Sequence, residues 1–253
     1  MKTHLLSLLL FGFVAAAPAS LFSATESFSR SAPFDPTGKV SLHNVNGDVT
    51  VETWDRNEIA IEGEKNARTE EELKRIDLAI ELLPEQANIR VRLPKNPKGI
   101  FGGKSVRGGV RFTLRIPATA TLSSIETVNG SVTISAVSGR VDAKTVNGRI
   151  ETRDLQGDAS LETVNGSIAT KFSRVSSHQE IALKTVNGSI DVSLPPDAGL
   201  KVRSSVVNGR ISSDFPIDRA TSREKKKLHG TIGDGRAALQ AESVNGSIEL
   251  AKL

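Results

Sequence analysis

Residues 127–150 read TVNGSVTISAVSGRVDAKTVNGRI, and this stretch opens and closes with the same hexad, Thr-Val-Asn-Gly-x-Ile/Val. Complete or degenerate copies recur at residues 44–49, 163–168, 185–190, 205–211 and 243–248. From Asn129 to Asn187 the hexad asparagines are 18, 18 and 22 residues apart. A fixed period of about 20 residues indicates a stacked repeat, in which each unit buries its apolar face against its neighbours.

Two architectures compete for this repeat. Asn-Gly between β-rich runs is a strong hairpin signal, and regularly spaced turns would favour an antiparallel sandwich or barrel. A hairpin, however, gives no reason for the same hexad to recur. Parallel coils do, because they place each residue about 4.8 Å from its equivalent, so that identical side chains stack. We therefore expect an all-β fold of the β-solenoid type.

The phase of the strands predicts a ladder of asparagines. Counting back by twos places Asn147 and Thr145 on the same side as the aliphatic Ala143 and Val141, opposite the charged Lys144. The asparagines are thus expected to be internal or to line the turns, hydrogen-bonded because they are buried. Glycine after each of them is expected to turn the chain with positive φ. This structural ladder comprises Asn129, Asn147, Asn165, Asn187, Asn208 and Asn245 with Gly130, Gly148, Gly166, Gly188, Gly209 and Gly246.

The valine before each hexad asparagine falls in the charged phase of its strand. Either the strand bends there, or the valines form an exposed apolar stripe. The bend is the simpler interpretation and the one that we favour. The column consists of Val128, Val146, Val164, Val186, Val207 and Val244.

These features carry a family resemblance. The repeated Val-Asn-Gly-x-Ile, the leader and the segment DVTVETWDRNEIAI at residues 48–61 resemble the bacterial putative-adhesin family of β-strand-repeat envelope proteins, a domain-of-unknown-function family. The resemblance covers residues 38–251. It implies a single-stranded parallel β-helix that coils right-handed. It brings no catalytic motif, and the adhesin label is itself an inference from fold and export.

The leader reads as a secretory signal peptide. Lys2 supplies the positive charge, an apolar run follows, and Ala17 and Ala19 place small residues before a cleavage site. The run is shorter than the roughly 20 residues that a membrane span needs, and we expect no transmembrane span. The predicted organisation is a signal peptide at residues 1–19, an N-terminal segment and candidate cap at 20–37, and a β-solenoid domain at 38–253 with insertions at 64–110 and 219–234.

The first insertion departs from the repeat. Thr69 followed by Glu72 fits a capping box and predicts a short helix through about Ile76. Two strands are expected after it, at residues 78–83 and 88–93.

A loop rich in glycine and basic residues ends this insertion. The sequence from Gln86 to Ile125 contains no acidic residue, so its cations would attract an anionic envelope polymer or lipid headgroup. The alternative is a solvated loop whose charge only maintains solubility. The candidate polyanion-binding residues are Lys95, Lys98, Lys104, Arg107 and Arg111.

Composition excludes several kinds of chemistry. The chain has no cysteine, which rules out disulfides, thiol nucleophiles and cysteine-ligated metals. No metal-ligand spacing, nucleotide-binding loop or serine nucleophile elbow is present, so we expect neither a metal nor another cofactor. Export and the scarcity of aromatics beside the basic clusters disfavour nucleic acid.

The sequence therefore predicts a non-catalytic, exported protein of a bacterial envelope, with a periplasmic, cell-surface or extracellular location. It would act as an adhesin-like or scaffold protein that presents a repetitive surface to an envelope polymer, a cell surface or a protein partner, and could self-associate through its coil ends. One alternative is a β-helix enzyme that acts on an envelope polysaccharide through outward carboxylates near residues 142–158. The other is a periplasmic regulatory or sensor-associated domain.

Overall fold

The computed structural model describes residues 24–93, 108–217 and 226–253. Within these ranges the chain forms twenty strands and one short helix, α1 (Glu70–Lys74). The strands are β1 (Ala24–Pro33), β2 (Lys39–His43), β3 (Val49–Trp54), β4 (Glu58–Ala67), β5 (Asp77–Leu83), β6 (Gln86–Arg92), β7 (Gly108–Pro117), β8 (Thr121–Asn129), β9 (Val132–Ser135), β10 (Val141–Asn147), β11 (Ile150–Leu155), β12 (Ala159–Asn165), β13 (Ile168–Phe172), β14 (Glu180–Asn187), β15 (Ile190–Leu194), β16 (Leu200–Asn208), β17 (Ile211–Ser213), β18 (Lys227–Ile232), β19 (Ala237–Asn245) and β20 (Ile248–Lys252).

The fold is all-β and consists of two ten-stranded sheets. The first sheet has the order β1-β4-β7-β3-β9-β11-β13-β15-β20-β17. The second has the order β18-β16-β19-β14-β12-β10-β8-β2-β6-β5. Both are mixed, because the inner pairs are parallel, whereas the pairs β1–β4, β4–β7, β5–β6 and β16–β18 near the ends are antiparallel. A purely parallel helix was therefore too narrow an expectation.

The middle of the molecule follows the repeat directly. Each repeat contributes one strand to each sheet, and we call such a pair a coil: β8–β9, β10–β11, β12–β13 and β14–β15. Equivalent residues pair in register, so that Thr145 lies opposite Thr163 and Asn147 opposite Asn165. Adjacent coils thus align identical side chains, as the period predicts.

A thin aliphatic core lies between the sheets. The strands alternate inward and outward residues, as in β10, where Val141, Ala143 and Thr145 are buried. Ile150, immediately after the turn, stacks in register on the equivalent isoleucine of the next coil and is fully buried. Burying each such side chain contributes about 1.5–3 kcal/mol, so the stack is stabilised coil by coil.

The described residues of the insertion predicted at 64–110 are built into both sheets. Strands β5 and β6 extend the second sheet, with β6 parallel to β2, while β7 lies parallel to β3 in the first. The helix expected here is present: Thr69 caps α1 by accepting a 3.2 Å hydrogen bond from the Glu72 amide. The described strands of this insertion therefore belong to one end of the fold and do not interrupt it.

The N-terminal segment lies along this same end. Strand β1 is the outermost strand of the first sheet and pairs only with β4 among the described strands. The Phe28 ring meets the buried Phe112 ring edge-on at 5.9 Å, and Phe34 is buried. These aromatic contacts fasten the segment to the sheet end.

The C-terminal coils do not follow chain order. The last coil, β19–β20, lies between β14–β15 and β16–β17, although β16–β17 precedes it in the sequence. Its strands pair in parallel on both sides. The chain thus passes outward, reverses through β18 and inserts its last coil as an inner one.

Candidate functional site

The most regular surface of the molecule lies at the turns where each coil crosses from the second sheet to the first. There the asparagine of each of the six later hexads and the valine of five of them are exposed to solvent, and we call this surface the Val-Asn ridge. Its valines are 37–55% exposed at Val128, Val146, Val164, Val207 and Val244. Val186 is half-buried. The favoured bend is therefore wrong and the apolar stripe is correct, because each strand runs on through its valine to the asparagine.

The asparagines of the ridge form a continuous chain of hydrogen bonds. Each Nδ2 donates at 2.8 Å to the Oδ1 of the neighbouring coil, in the order Asn208, Asn245, Asn187, Asn165, Asn147, Asn129 and Asn46. Asn46 closes the chain by donating to the Gly108 carbonyl at 2.8 Å. The six repeat asparagines are exposed rather than buried, because the strand leaves the core after the threonine. Sequence phase alone did not reveal this departure.

Most of the turns require glycine for a reason other than the expected positive φ. In the described residues only Gly47 and Gly209, of the seven hexad glycines, have positive φ, at 117° and 157°. The others are required by packing. A Cβ on Gly148 would overlap the Gly130 carbonyl of the preceding coil, and one on Gly166 would overlap the Gly148 carbonyl.

A second hydrogen-bonded column runs just beneath the ridge. Buried Thr145 donates from its Oγ1 to the Gly130 carbonyl at 2.9 Å, and Thr163 donates to the Gly148 carbonyl at 3.0 Å. The same bond is made by Thr127, Thr185 and Ser243. Threonine is thus selected inside the core because its hydroxyl satisfies the carbonyl of a turn.

An alternating row of charges flanks the ridge on the outer face of the second sheet. In cross-strand order it reads Glu126, Lys144, Glu162, Lys184 and Glu242. A shallow groove of about 300 Å³ lies between this row and the valines, lined in part by Val146, Val164, Lys144 and Glu162. The local sequence shows only scattered charges, so the alternation appears only when the coils are stacked.

Glu126 is the most strongly held carboxylate of this row. It accepts a 2.8 Å hydrogen bond from Ser124 Oγ and contacts His43 Nδ1 at 3.1 Å. Partial burial acts to raise the pKa of Glu126, but the Ser124 and His43 hydrogen bonds and the charges of His43 and Lys144 outweigh it and lower that pKa. The row therefore carries its full negative charge at this position near neutral pH.

The predicted basic site is only partly within the described residues. Lys95, Lys98, Lys104 and Arg107 lie outside them.

Arg111 is in β7 rather than in a loop, and its Nη1 lies 3.7 Å from Glu64 Oε1. Arg115 likewise lies 2.9 Å from Glu62 Oε1 and 3.6 Å from Glu52 Oε2. These two cations are thus compensated by carboxylates from other strands, which the absence of acidic residues nearby in sequence concealed.

Some of the outward charges proposed for an enzyme form ion pairs. Arg153 contacts Glu151 of its own strand at 2.5 Å, and Arg140 lies 3.8 Å from Asp158. In residues 24–93, 108–217 and 226–253, no three histidine, aspartate or glutamate side chains are grouped to hold a metal ion. Helices able to cross a bilayer are likewise absent from these described residues.

Known proteins resemble the chain at the level of family and fold. The family profile described as Toastrack DUF4097 matches residues 38–251. No curated protein matches the sequence.

Among solved structures, one described as a putative cell adhesion protein from Clostridium sporogenes is 12% identical, with a TM-score of 0.51, over 90% of this chain and 100% of that one. A putative adhesin from Bacteroides fragilis is 11% identical with a TM-score of 0.43, over 89% of this chain and 97% of that one. A putative lipid binding protein from Parabacteroides distasonis is 17% identical with a TM-score of 0.35, over 90% of this chain and 96% of that one.

Proposed function

The chain belongs to the Toastrack DUF4097 family, and from this premise we propose that it is a non-catalytic, exported protein of a bacterial envelope. It acts as an adhesin-like or scaffold protein and presents the Val-Asn ridge to an envelope polymer or a protein partner. The observation that carries the proposal is the row of five exposed valines beside a hydrogen-bonded row of amides.

The chemistry of the ridge favours recognition rather than catalysis. Binding of a partner that covers the exposed valines lowers the free energy, because their apolar surface is removed from water. Aligned apolar residues on a surface are typical of interaction sites. The ladder fixes the neighbouring amides at a strand spacing of about 4.8 Å. A partner with a repeating structure would meet several equivalent contacts at once, so weak single contacts would add up to a strong attachment.

A comparison with a solved structure also supports this assignment. The structure from Clostridium sporogenes, whose fold this chain shares, is described as a putative cell adhesion protein, which favours a role at the cell surface or envelope. The connection between two parallel strands of the same sheet is right-handed almost without exception. We therefore also propose a single-stranded, right-handed winding for the coils.

The test is a binding screen with purified peptidoglycan, lipopolysaccharide and capsular polysaccharide at low and high salt, with product formation followed in the same wells. The ridge variant is Val128→Ser/Val146→Ser/Val164→Ser. Leu83→Ser is the matched control, since Leu83 is 49% exposed at the far end of the second sheet. We expect salt-resistant binding that the ridge variant loses and the control keeps, with unchanged melting temperatures.

Other outcomes assign the function differently. Salt-sensitive binding that is lost in Lys98→Ala/Lys104→Ala/Arg107→Ala would favour the basic segment over the ridge. Product formation would refute the non-catalytic assignment in favour of a polysaccharide-cleaving enzyme. Equal binding by the ridge variant and the wild type would exclude the ridge as the contact surface.

A further inference from the structure

Seven asparagines of the chain precede glycine, at positions 46, 129, 147, 165, 187, 208 and 245. Asn-Gly is the dipeptide most prone to spontaneous deamidation, because the unhindered glycine amide nitrogen can reach the asparagine side chain. The seven sites share this local chemistry but differ in how the fold holds their reacting atoms. Their comparison therefore shows which of them is open to modification.

Six of the sites are closed at the attacking nitrogen. The amide of Gly166 donates to the Asn187 carbonyl at 3.0 Å, and that of Gly148 donates to the Asn165 carbonyl at 3.1 Å. The amides of Gly47, Gly130, Gly188 and Gly246 make the equivalent bond to a neighbouring coil. Each of these glycines is also partly buried. A bonded, partly buried amide is a poor nucleophile until its coil opens.

The same six sites are held at the electrophilic carbon. The Oδ1 of each asparagine accepts the 2.8 Å bond of the ladder from the next coil. Each Nδ2 also donates onward, and Asn46 donates to the Gly108 carbonyl. The side chain is therefore fixed from both sides and cannot rotate freely towards the glycine nitrogen.

Asn208-Gly209 is the exception. Its coil, β16–β17, is the outermost one at this end, so the ladder starts there. Within the part of the chain that the structure describes, Asn208 Oδ1 accepts no hydrogen bond and the Gly209 amide donates none. Gly209 is also exposed, unlike the other hexad glycines.

We infer that Asn208 is a site of spontaneous, non-enzymatic modification, at which the chain deamidates selectively. The deprotonated Gly209 nitrogen forms a bond to Asn208 Cγ, and Nδ2 leaves as ammonia, which gives a five-membered succinimide. Water then opens either carbonyl of the ring and yields aspartate or isoaspartate. One water is consumed, one ammonia is released, and a negative charge is gained.

The modification removes the first rung of the ladder. The new carboxylate cannot donate to Asn245 Oδ1, and it places an acceptor against an acceptor. When the ring opens to isoaspartate, the main chain also gains a methylene group next to the turn. The change is thereby confined to one end of the molecule, and the fraction of modified chains increases with time after synthesis.

The experiment is peptide mapping of the purified protein after incubation in mildly alkaline buffer, with incorporation of heavy oxygen from labelled water as the readout. Two ordinary hydrogen bonds protect a site by roughly tenfold or more, so we expect Asn208 to react about tenfold faster than Asn165. In denaturant, where no coil protects its neighbour, the seven sites should react at similar rates. Equal rates at Asn208 and Asn165 in the folded protein would overturn the inference.

Two variants provide a second readout. Asn208→Gln should abolish the acidic form that ion-exchange chromatography resolves, because glutamine before glycine cyclises far more slowly. Asn165→Gln should leave that form unchanged, since the protected site contributes little to it. Undiminished accumulation of the acidic form in Asn208→Gln would place the reaction elsewhere and refute the assignment.

Discussion

The middle coils and the C-terminal coils use the same hexad but satisfy it differently. Between β8 and β15 the spatial order of the coils is their order in the chain, and each turn is bonded on both sides. In β16 the inward threonine is replaced by Val206, which cannot donate to a turn carbonyl. The nearby Ser204 Oγ is buried without a hydrogen-bond partner among the described residues.

This difference shows what repetition contributes. A polar group in the middle coils forms its hydrogen bond with a neighbouring coil, so the repeated residues satisfy one another's donors and acceptors. At an end there is no next copy. The chain compensates there with antiparallel strands such as β18, and it still leaves Asn208 at the open start of the ladder.

The largest expected effect comes from filling the space between two middle coils. In Gly148→Ala the new Cβ would overlap the Gly130 carbonyl, and neither backbone can move without breaking its neighbours. We expect a loss of about 3 kcal/mol in the free energy of unfolding, measured by urea denaturation. The control Ser160→Ala, on the outer face of β12, should change little. A wild-type midpoint for Gly148→Ala would mean that the coils are not in such close contact.

An intermediate effect distinguishes the inside of the ladder from its end. Asn165→Ala removes one donated and one accepted bond, and we expect a loss of about 2 kcal/mol. Asn208→Ala removes only the donated bond, with an expected loss of about 1 kcal/mol. Equal losses in urea denaturation would show that the amides do not act as a connected chain.

The smallest effects compare two buried hydroxyls. Thr163→Val deletes the bond to the Gly148 carbonyl and should cost about 1 kcal/mol. Ser204→Ala deletes a hydroxyl with no partner in the described structure, so it should be neutral or stabilise by up to about 1 kcal/mol. Thermal unfolding of the two variants measures the contrast, and destabilisation by Ser204→Ala would reveal a bond that the structure does not contain.

The sequence predicted the family and the middle of the fold well. The resemblance to a domain-of-unknown-function family is confirmed, because the hexad is both frequent and regular. The capping residue Thr69 and the two following strands were also predictable from local signals. All of these features depend on residues close together in the chain.

Features that depend on which coils are neighbours were not predictable. Nothing in the spacing from Asn187 to Asn208 indicates that Asn245 lies between them. The pairing of Arg111 with Glu64 and the alternation along the charged row likewise arise only across strands. The exposure of the ridge was not predicted because the alternation of inward and outward residues ends at the turn. Thr145 is buried, but Asn147, two residues later, is exposed instead of buried.

The inserted last coil has a mechanical consequence. Strands β19 and β20 are each paired in parallel on both edges, so tension applied at Leu253 must shear two rows of hydrogen bonds at once. Tension applied at the N-terminal side instead peels β1 from β4 one bond at a time. The last coil is therefore held along both of its edges, whereas the first described strand is held along one, so the two ends of the fold should differ in their resistance to extraction.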